Sequence, residues 1–364
     1  MFKNMIVYRI APQWQCTLEQ MEEALQKAPF AECGATQDKS IGWVPPRGDA
    51  HGPLAESVDG QWILRLMSES KMLPASVLAR KVKEKAAQIE SQTGRKPGKK
   101  EQRELKDEAR LDLLPMAFTK QGSTWVWIDP RARWLVIDTG SQGRADEVVS
   151  LLVELLPPGF AVALLHTQTS AQAAMSHWLS TQESPAGFSL GRECELKASD
   201  EAKSVVRYAR HPLDIEEIQA HIAAGKLPTK LALGWDDRVH FVLTEGLQIK
   251  KVAFEDTVFE GTSQDDGGFD TDVAIATGEL GKLIPDLIEA LGGEADSGIL
   301  AAAAEAGGNG TSPTTASSAG APSAPKAPQA APAAPHRPVR AQGGGVVTGP
   351  ASVPVDTDPD SAPF

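Results

Sequence analysis

Residues 230–256 read KLALGWDDRVHFVLTEGLQIKKVAFED, and this stretch decides the fold class. The segments KLALGW, VHFVLT and LQIKKVAFED form a meander of strands, with Glu245 and Gly246 at one turn, where short polar residues reverse the chain. Immediately upstream, LDIEEIQAHIAAG reads as a helix ending at Gly225, a residue suited to the left-handed position after a helix. Downstream, DVAIAT (272–277) reads as a final strand leading into the helix GELGKLIPDLIEALGG, closed by Gly292 and Gly293.

Further towards the N-terminus, SAQAAMSHWLS reads as a helix, FAVALLH as a buried strand and ADEVVSLLVELL as another helix. STWVWID and RWLVIDT flank Pro130 and Arg131 as a β-hairpin. Two helices, from about Ser76 to Ser91 and from about Lys100 to Leu114, are separated by the break GRKPGKK. IVYRI (6–10) opens the chain as a strand, and Thr17 with Gln20 has the capping-box spacing ahead of a helix reaching about Ala28. Strands and helices interleave irregularly, which predicts an α+β fold rather than a doubly wound parallel sheet.

The meander belongs to a body covering residues 1–297. From residue 298 onward the sequence is dominated by Ala, Pro, Gly and Ser, with almost no large apolar side chains. Such a segment does not recover its ordering entropy, so a disordered tail over 298–364 is expected. The chain has 364 residues, 41% hydrophobic and 23% charged, with 26 prolines and 32 glycines crowded towards its end. The N-terminus has no basic stretch followed by a long apolar run, and no window approaches a membrane span. A cytoplasmic protein is expected. Cys16, Cys33 and Cys194 form no CxxC pair, which predicts reduced, buried thiols.

The net charge of −12 opposes nucleic-acid binding at first sight, since phosphate contacts need clustered Lys and Arg. The charge is segregated, however. Between Lys71 and Arg110, twelve basic residues stand against six acidic ones, leaving the rest of the body strongly acidic. A field with a positive and a negative region follows. On the first helix of this window Leu78, Val82, Ala86 and Ile89 share one side, and Lys85 falls near that apolar seam, where it has to snorkel. The alternative is a solvated helix pair in which Glu84, Glu101, Glu104 and Glu108 pair with nearby cations.

Catalytic patterns are sparse. GRKPGKK is one residue short of a phosphate-binding loop and lies between helices. Asp129 and Asp138 near strand ends, with the Glu195 and Lys197 pair, permit a metal-dependent nuclease as an alternative, although acidic strand ends are usually solvated turns. Asp265, Asp266, Asp270 and Asp272 lack calcium-loop spacing and suit a polar loop. The seven histidines show no HExxH arrangement. No nucleophile with an adjacent base emerges. No metal, cofactor or enzymatic activity is therefore expected. Among eight tryptophans, Trp125, Trp127 and Trp134 have the alternating placement of core residues, the alternative being stacking on bases.

An ordered set of segments resembles the RdgC family of recombination-associated proteins: FKNMIVYRI, Cys33-Gly34 followed by IGWVPP, KMLPASVL, KDEARLDLLPMAF, WIDP, TKLALGW and TGELGKLIPDLIEALGGEA. The set spans essentially all of residues 1–297. The resemblance implies a horseshoe-like subunit whose dimer closes into a ring with positive charge facing the hole. It also implies binding to duplex DNA, and more weakly to single strands, without sequence preference, in the nucleoid. Restraint of the recombinase RecA follows from blocking its access. The ring reconciles an acidic exterior with a basic lumen, for which Arg80, Lys81, Lys83, Arg95, Lys96, Lys99, Lys100, Arg103 and Lys106 are the natural lining. By the same resemblance Phe118, in LLPMAF, falls where the ring closes between subunits. Arg210 and His211, in VVRYARHPLDIEEI, match a gate loop where family members carry Lys and Gln, and His211 and Pro212 depart from that pattern. The end of the tail, DTDPDSAPF, is similar to the acidic Pro-Phe tip of bacterial single-stranded DNA-binding proteins. That similarity makes Asp356, Asp358, Asp360, Pro363 and Phe364 candidates for docking a partner, and an adaptor role the third functional alternative.

Overall fold

A computed structural model describes residues 1–201, 203–259 and 268–295. The expected tail and its acidic tip lie outside the described residues, as do Asp265 and Asp266. The chain is α+β, built on twelve strands in one sheet. The strands are β1 (Asn4–Ile10), β2 (Lys39–Val44), β3 (Ala55–Val58), β4 (Gln61–Met72), β5 (Phe118–Asp129), β6 (Trp134–Asp138), β7 (Val162–Leu164), β8 (Phe188–Ala198), β9 (Val205–Ala209), β10 (Lys226–Trp235), β11 (Val239–Thr244) and β12 (Ile249–Phe254). Their order is β2-β4-β5-β6-β1-β12-β11-β10-β8-β9, with β3 beside β4 and β7 beside β1. All these neighbours are antiparallel.

Seven helices complete the described residues: α1 (Leu18–Leu25), α2 (Ala75–Thr93), α3 (Lys99–Leu113), α4 (Gln142–Leu155), α5 (Ala171–Thr181), α6 (Glu216–Ala223) and α7 (Phe269–Ala290). They cover the sheet unevenly, because the pleat sends alternate residues to opposite faces. On β1, Met5 and Val7 enter one core with Met175 and Trp178 of α5, Ile218 of α6 and Leu280 and Leu283 of α7. Ile6, Tyr8 and Ile10 enter a second core with Met21 and Leu25 of α1 and Val148 and Leu152 of α4.

The meander forms as its alternation predicts, with Leu231 opposite Leu243 and Val239 opposite Phe254. The Thr17–Gln20 capping box is present, but α1 stops at Leu25, three residues short of Ala28. Gly225, with φ +86°, ends α6 as expected. The expected strand over 272–277 is instead the early part of α7. Val273, Ala276, Leu280, Leu283, Ile284 and Leu287 are buried at helical spacing, and this longer period overrides the short apolar run. Within FAVALLH only Val162–Leu164 form a strand, and of these only Ala163 is buried. Cys194 is buried, whereas Cys16 and Cys33 are half-buried; all three are free.

The longest pairing joins β4 to β5 from Trp62 opposite Ile128 to Met72 opposite Phe118. Its far end carries α2 and α3. Gly94, at φ +71°, caps α2 with its N–H on the Glu90 carbonyl, and the Glu101 carboxylate accepts the Gly98 N–H at the start of α3. The chain therefore makes a helical hairpin at the end of the β2-β4-β5 part of the sheet, where Lys39 of β2 still pairs with Ser70 of β4.

Candidate nucleic-acid interface

The hairpin closes through Leu78, which is buried, with Leu105 and Ala109 of α3, while Val82, Ala86 and Ile89 are half-buried. Lys85 lies in this seam and snorkels as its position requires, its ammonium 3.0 Å from Glu108 and 2.8 Å from Asp112. Hydrogen bonds to Asp112 and Glu108 raise its pKa. Beside the seam is a groove of about 580 Å³, floored by Leu78, Val82 and three alanines and flanked by Lys83 and Lys106.

The four glutamates expected to pair with cations all do so, with unequal strength. Arg95 is held bidentately by Glu101 at 2.9 and 2.5 Å, and Arg95, followed by the Gly98 N–H, lowers the Glu101 pKa. Glu108 shares Lys85 with Asp112. Arg80–Glu84 and Lys100–Glu104 are exposed pairs at 3.9 and 3.8 Å, contributing little. Lys81, Lys83, Lys96, Lys99, Arg103 and Lys106 form no ion pair among the described residues. The hairpin thus keeps a set of cations outside any ion pair, exposed except for the half-buried Lys81 beside Asp112, as contact with phosphates requires.

Phe118 is 82% exposed. It stands opposite Met72 in the register, and Met72, Leu111 and Met116 are exposed as well. The run LPM (114–116) forms a 3-10 helix that buries Leu114 and leaves Met116 outside. An exposed apolar cluster of this kind is a mark of an interaction surface. The sequence alone does not single out the companions of Phe118, because Leu111 and Met116 look like ordinary helix residues there.

Arg210 and His211 follow β9, the terminal strand of the sheet order, whereas the hairpin grows from β4 and β5 near the opposite end. Both are exposed, and Arg210 has φ +56°. The His211 N–H donates to the Arg192 carbonyl at 3.0 Å, and its ring lies against Tyr208. The structure does not bring this loop together with the helical cations.

The acidic groups behind the nuclease alternative are occupied locally. Asp129 is buried rather than a solvated turn residue, accepting the Arg131 and Ala132 N–H groups at 2.8 Å. Asp138 accepts the Phe2 and Asn4 N–H groups at 2.9 Å, and burial raises its pKa. Glu195 binds Thr229 at 2.8 Å, Arg207 at 2.6 Å and Lys230 at 3.1 Å. Among the described residues no three His, Cys, Asp or Glu converge as metal ligands, and no described helix is long and apolar enough to cross a membrane.

Burial pushes the Glu195 carboxyl up, but its hydrogen bonds outweigh this and hold it at about 2. A carboxyl depressed below its unfolded value contributes stability above that value, and the contribution disappears as pH falls through the folded one. Glu195→Gln is accordingly expected to lower the denaturant midpoint near neutral pH and to converge on the parent as pH falls from about 5 towards 2. A pH-independent difference would assign the loss to packing instead.

A family model described as "Putative exonuclease, RdgC" matches residues 1–294. A protein named recombination-associated protein RdgC in Dechloromonas aromatica is 46% identical over 300 residues, covering 80% of this chain and 98% of its own length. The chain belongs to the RdgC family. RdgC relatives of the same printed name occur in Herminiimonas arsenicoxydans, 45% identical over 297 residues, and in Bordetella pertussis, 41% identical over 297 residues; each match covers 80% of this chain and 98% of the relative. The RdgC match thus takes in the sheet, the helical hairpin, the Phe118 cluster and the loop at Arg210.

Proposed function

We propose that this chain binds duplex DNA, and single strands more weakly, without reading sequence, and does so as a dimeric ring of horseshoe-like subunits that encircles the duplex in the nucleoid. The observation carrying this reading is the row of unpaired cations on α2 and α3, held away from an otherwise acidic body. Ring closure uses the exposed Phe118 cluster, whose apolar surface favours burial against a second copy. An encircling protein restrains RecA by occupying the duplex it needs. Binding without cleavage agrees with the engagement of Asp129, Asp138 and Glu195 by the protein's own hydrogen-bond donors.

The test is titration of linear and covalently closed duplex at about 50 and 200 mM salt, with magnesium present and the assembly mass measured alongside. Affinity is expected to fall by about a thousandfold or more between the two salts if six or more phosphates are contacted. Phe118→Ala is expected to reduce the mass to a single chain that keeps its folded secondary structure, with a melting temperature that no longer depends on protein concentration. Absence of binding at low salt overturns the DNA reading, an unchanged dimer mass in the variant removes Phe118 from ring closure, and magnesium-dependent strand breaks restore the nuclease.

A further inference from the structure

Leu78, Leu105, Ala109 and Leu114 are buried but belong to neither of the two cores on the sheet. The helical hairpin is thus a satellite of the body, and its attachment sets where Met116 and Phe118 are presented. Neither of these side chains is fixed by its own packing, since Met116 is 74% and Phe118 82% exposed. Two cationic side chains supply the attachment, and both end on residues 35–38. Lys71, the last residue but one of β4, donates its ammonium to the Ala35 carbonyl at 2.7 Å and to the Leu114 carbonyl at 2.9 Å. Arg110 of α3 donates its Nε to both carboxylate oxygens of Asp38, at 2.9 and 3.2 Å.

The loop that receives them is itself anchored. The buried Glu69 carboxylate of β4 accepts the Cys33 N–H at 3.1 Å, the Gln37 side-chain oxygen accepts the Gly34 N–H at 3.1 Å, and the Lys71 N–H donates to the Asp38 carbonyl at 2.9 Å. The Leu114 carbonyl that meets Lys71 lies where α3 ends, and carbonyls there carry a partial negative charge that favours a cation. The same carbonyl accepts the Ala117 N–H at 3.2 Å, closing the turn whose next residue is Phe118. Without the ammonium, the Ala35 and Leu114 carbonyls are two acceptors side by side with no donor between them. The Arg110–Asp38 pair is half-exposed and adds little stability, so its consequence is geometric: it fixes one rotation of α3 against the loop.

We infer that Lys71 and Arg110 are positioning residues for ring closure, clamping α3 to residues 35–38 and so holding Met116 and Phe118 in the orientation that a second copy meets. The inference rests on the reading of Phe118 as the closing residue and adds what presents it. Presentation matters because an exposed side chain on a freely moving support is ordered only on association, at a cost in affinity. A clamped hairpin has met that cost on folding.

The experiment measures dimer dissociation of the full chain by sedimentation, without DNA. Lys71→Met and Arg110→Asp are each expected to raise the dimer dissociation constant about tenfold or more, the scale of losing a charged hydrogen bond, while the helical circular dichroism stays that of the parent. Asp38→Arg alone is expected to act like Arg110→Asp. The two together are expected to return the constant to within about threefold of the parent, because the ion pair re-forms with its charges exchanged. Single variants that dissociate like the parent overturn this inference while Phe118 stays in ring closure. Weaker association accompanied by a loss of helical signal also overturns it, since the cations then hold the hairpin's fold rather than its placement. A charge exchange without recovery overturns the part given to Arg110 and Asp38. A Phe118→Ala chain that stays dimeric removes the underlying reading, and this inference with it.

Discussion

Replacing Lys83, Lys99, Arg103 and Lys106 together by Ala is expected to weaken duplex binding by about two to three orders of magnitude at low salt and to reduce the salt slope by about 3.6. These four are exposed and form no ion pair among the described residues, so each is free to displace counterions from a phosphate. The same freedom means that their removal costs the fold little, within about 0.5 kcal/mol per site. Arg95 provides the contrast. Its guanidinium is held by Glu101, whose carboxylate also caps α3 at Gly98, so Arg95→Ala acts on the hairpin as well as on any ligand. The check is duplex anisotropy at several salt concentrations, with melting curves for each variant. An unchanged slope in a folded quadruple variant means that the basic faces of α2 and α3 are merely solvated.

Trp127→Ala is expected to lower folding stability by about 3–5 kcal/mol, the range for removing a large aromatic from a packed interior. Trp127 is fully buried in the core under α5, α6 and α7. Its indole N–H donates to the Gln61 side-chain oxygen at 2.7 Å, and its ring packs at a tilt against Phe2 with centroids 5.9 Å apart. Truncation leaves a cavity and a hydrogen-bond acceptor without its donor. Denaturant unfolding measures the decrease, and DNA affinity of the folded fraction is expected to stay unchanged. A base-stacking tryptophan behaves in the opposite way, losing affinity while stability is kept. Trp134 is buried too, with the Arg9 guanidinium 3.4 Å above its ring. Trp125 is only half-buried, lying between Arg65 and the Phe269 ring, and its truncation is expected to cost less.

Elements with a strong local signal are legible in the sequence. The meander alternates regularly, the β5–β6 hairpin has its turn at Pro130 and Arg131, and α2 and α3 are separated by Gly94, whose left-handed φ stops a helix. Strands β2, β3, β4, β8 and β9 carry no such signal. GRECELKA in β8 is rich in charge because its outward positions face water, and β4 owes its length to a partner that begins 46 residues after it ends. The run DVAIAT misleads because six residues are too few to separate a period of two from one of 3.6, whereas the full span to Ala290 separates them.

By itself the sequence determined the α+β class, the basic helical pair with Lys85 at its seam, and membership of the RdgC family through an ordered set of segments. These depend on local periodicity, on composition and on the linear order of motifs, all of which are present in the chain before it folds. Only the tertiary structure decided that Phe118 stands opposite Met72 in an exposed apolar cluster, and that Arg210 and His211 lie at the other end of the sheet from the helical cations. It also decided that β8 to β12 contribute to the core under α5, α6 and α7 and not to the one under α1 and α4. Strand pairing joins residues far apart in the chain, and the core that captures a helix sets which face of the sheet stays in water.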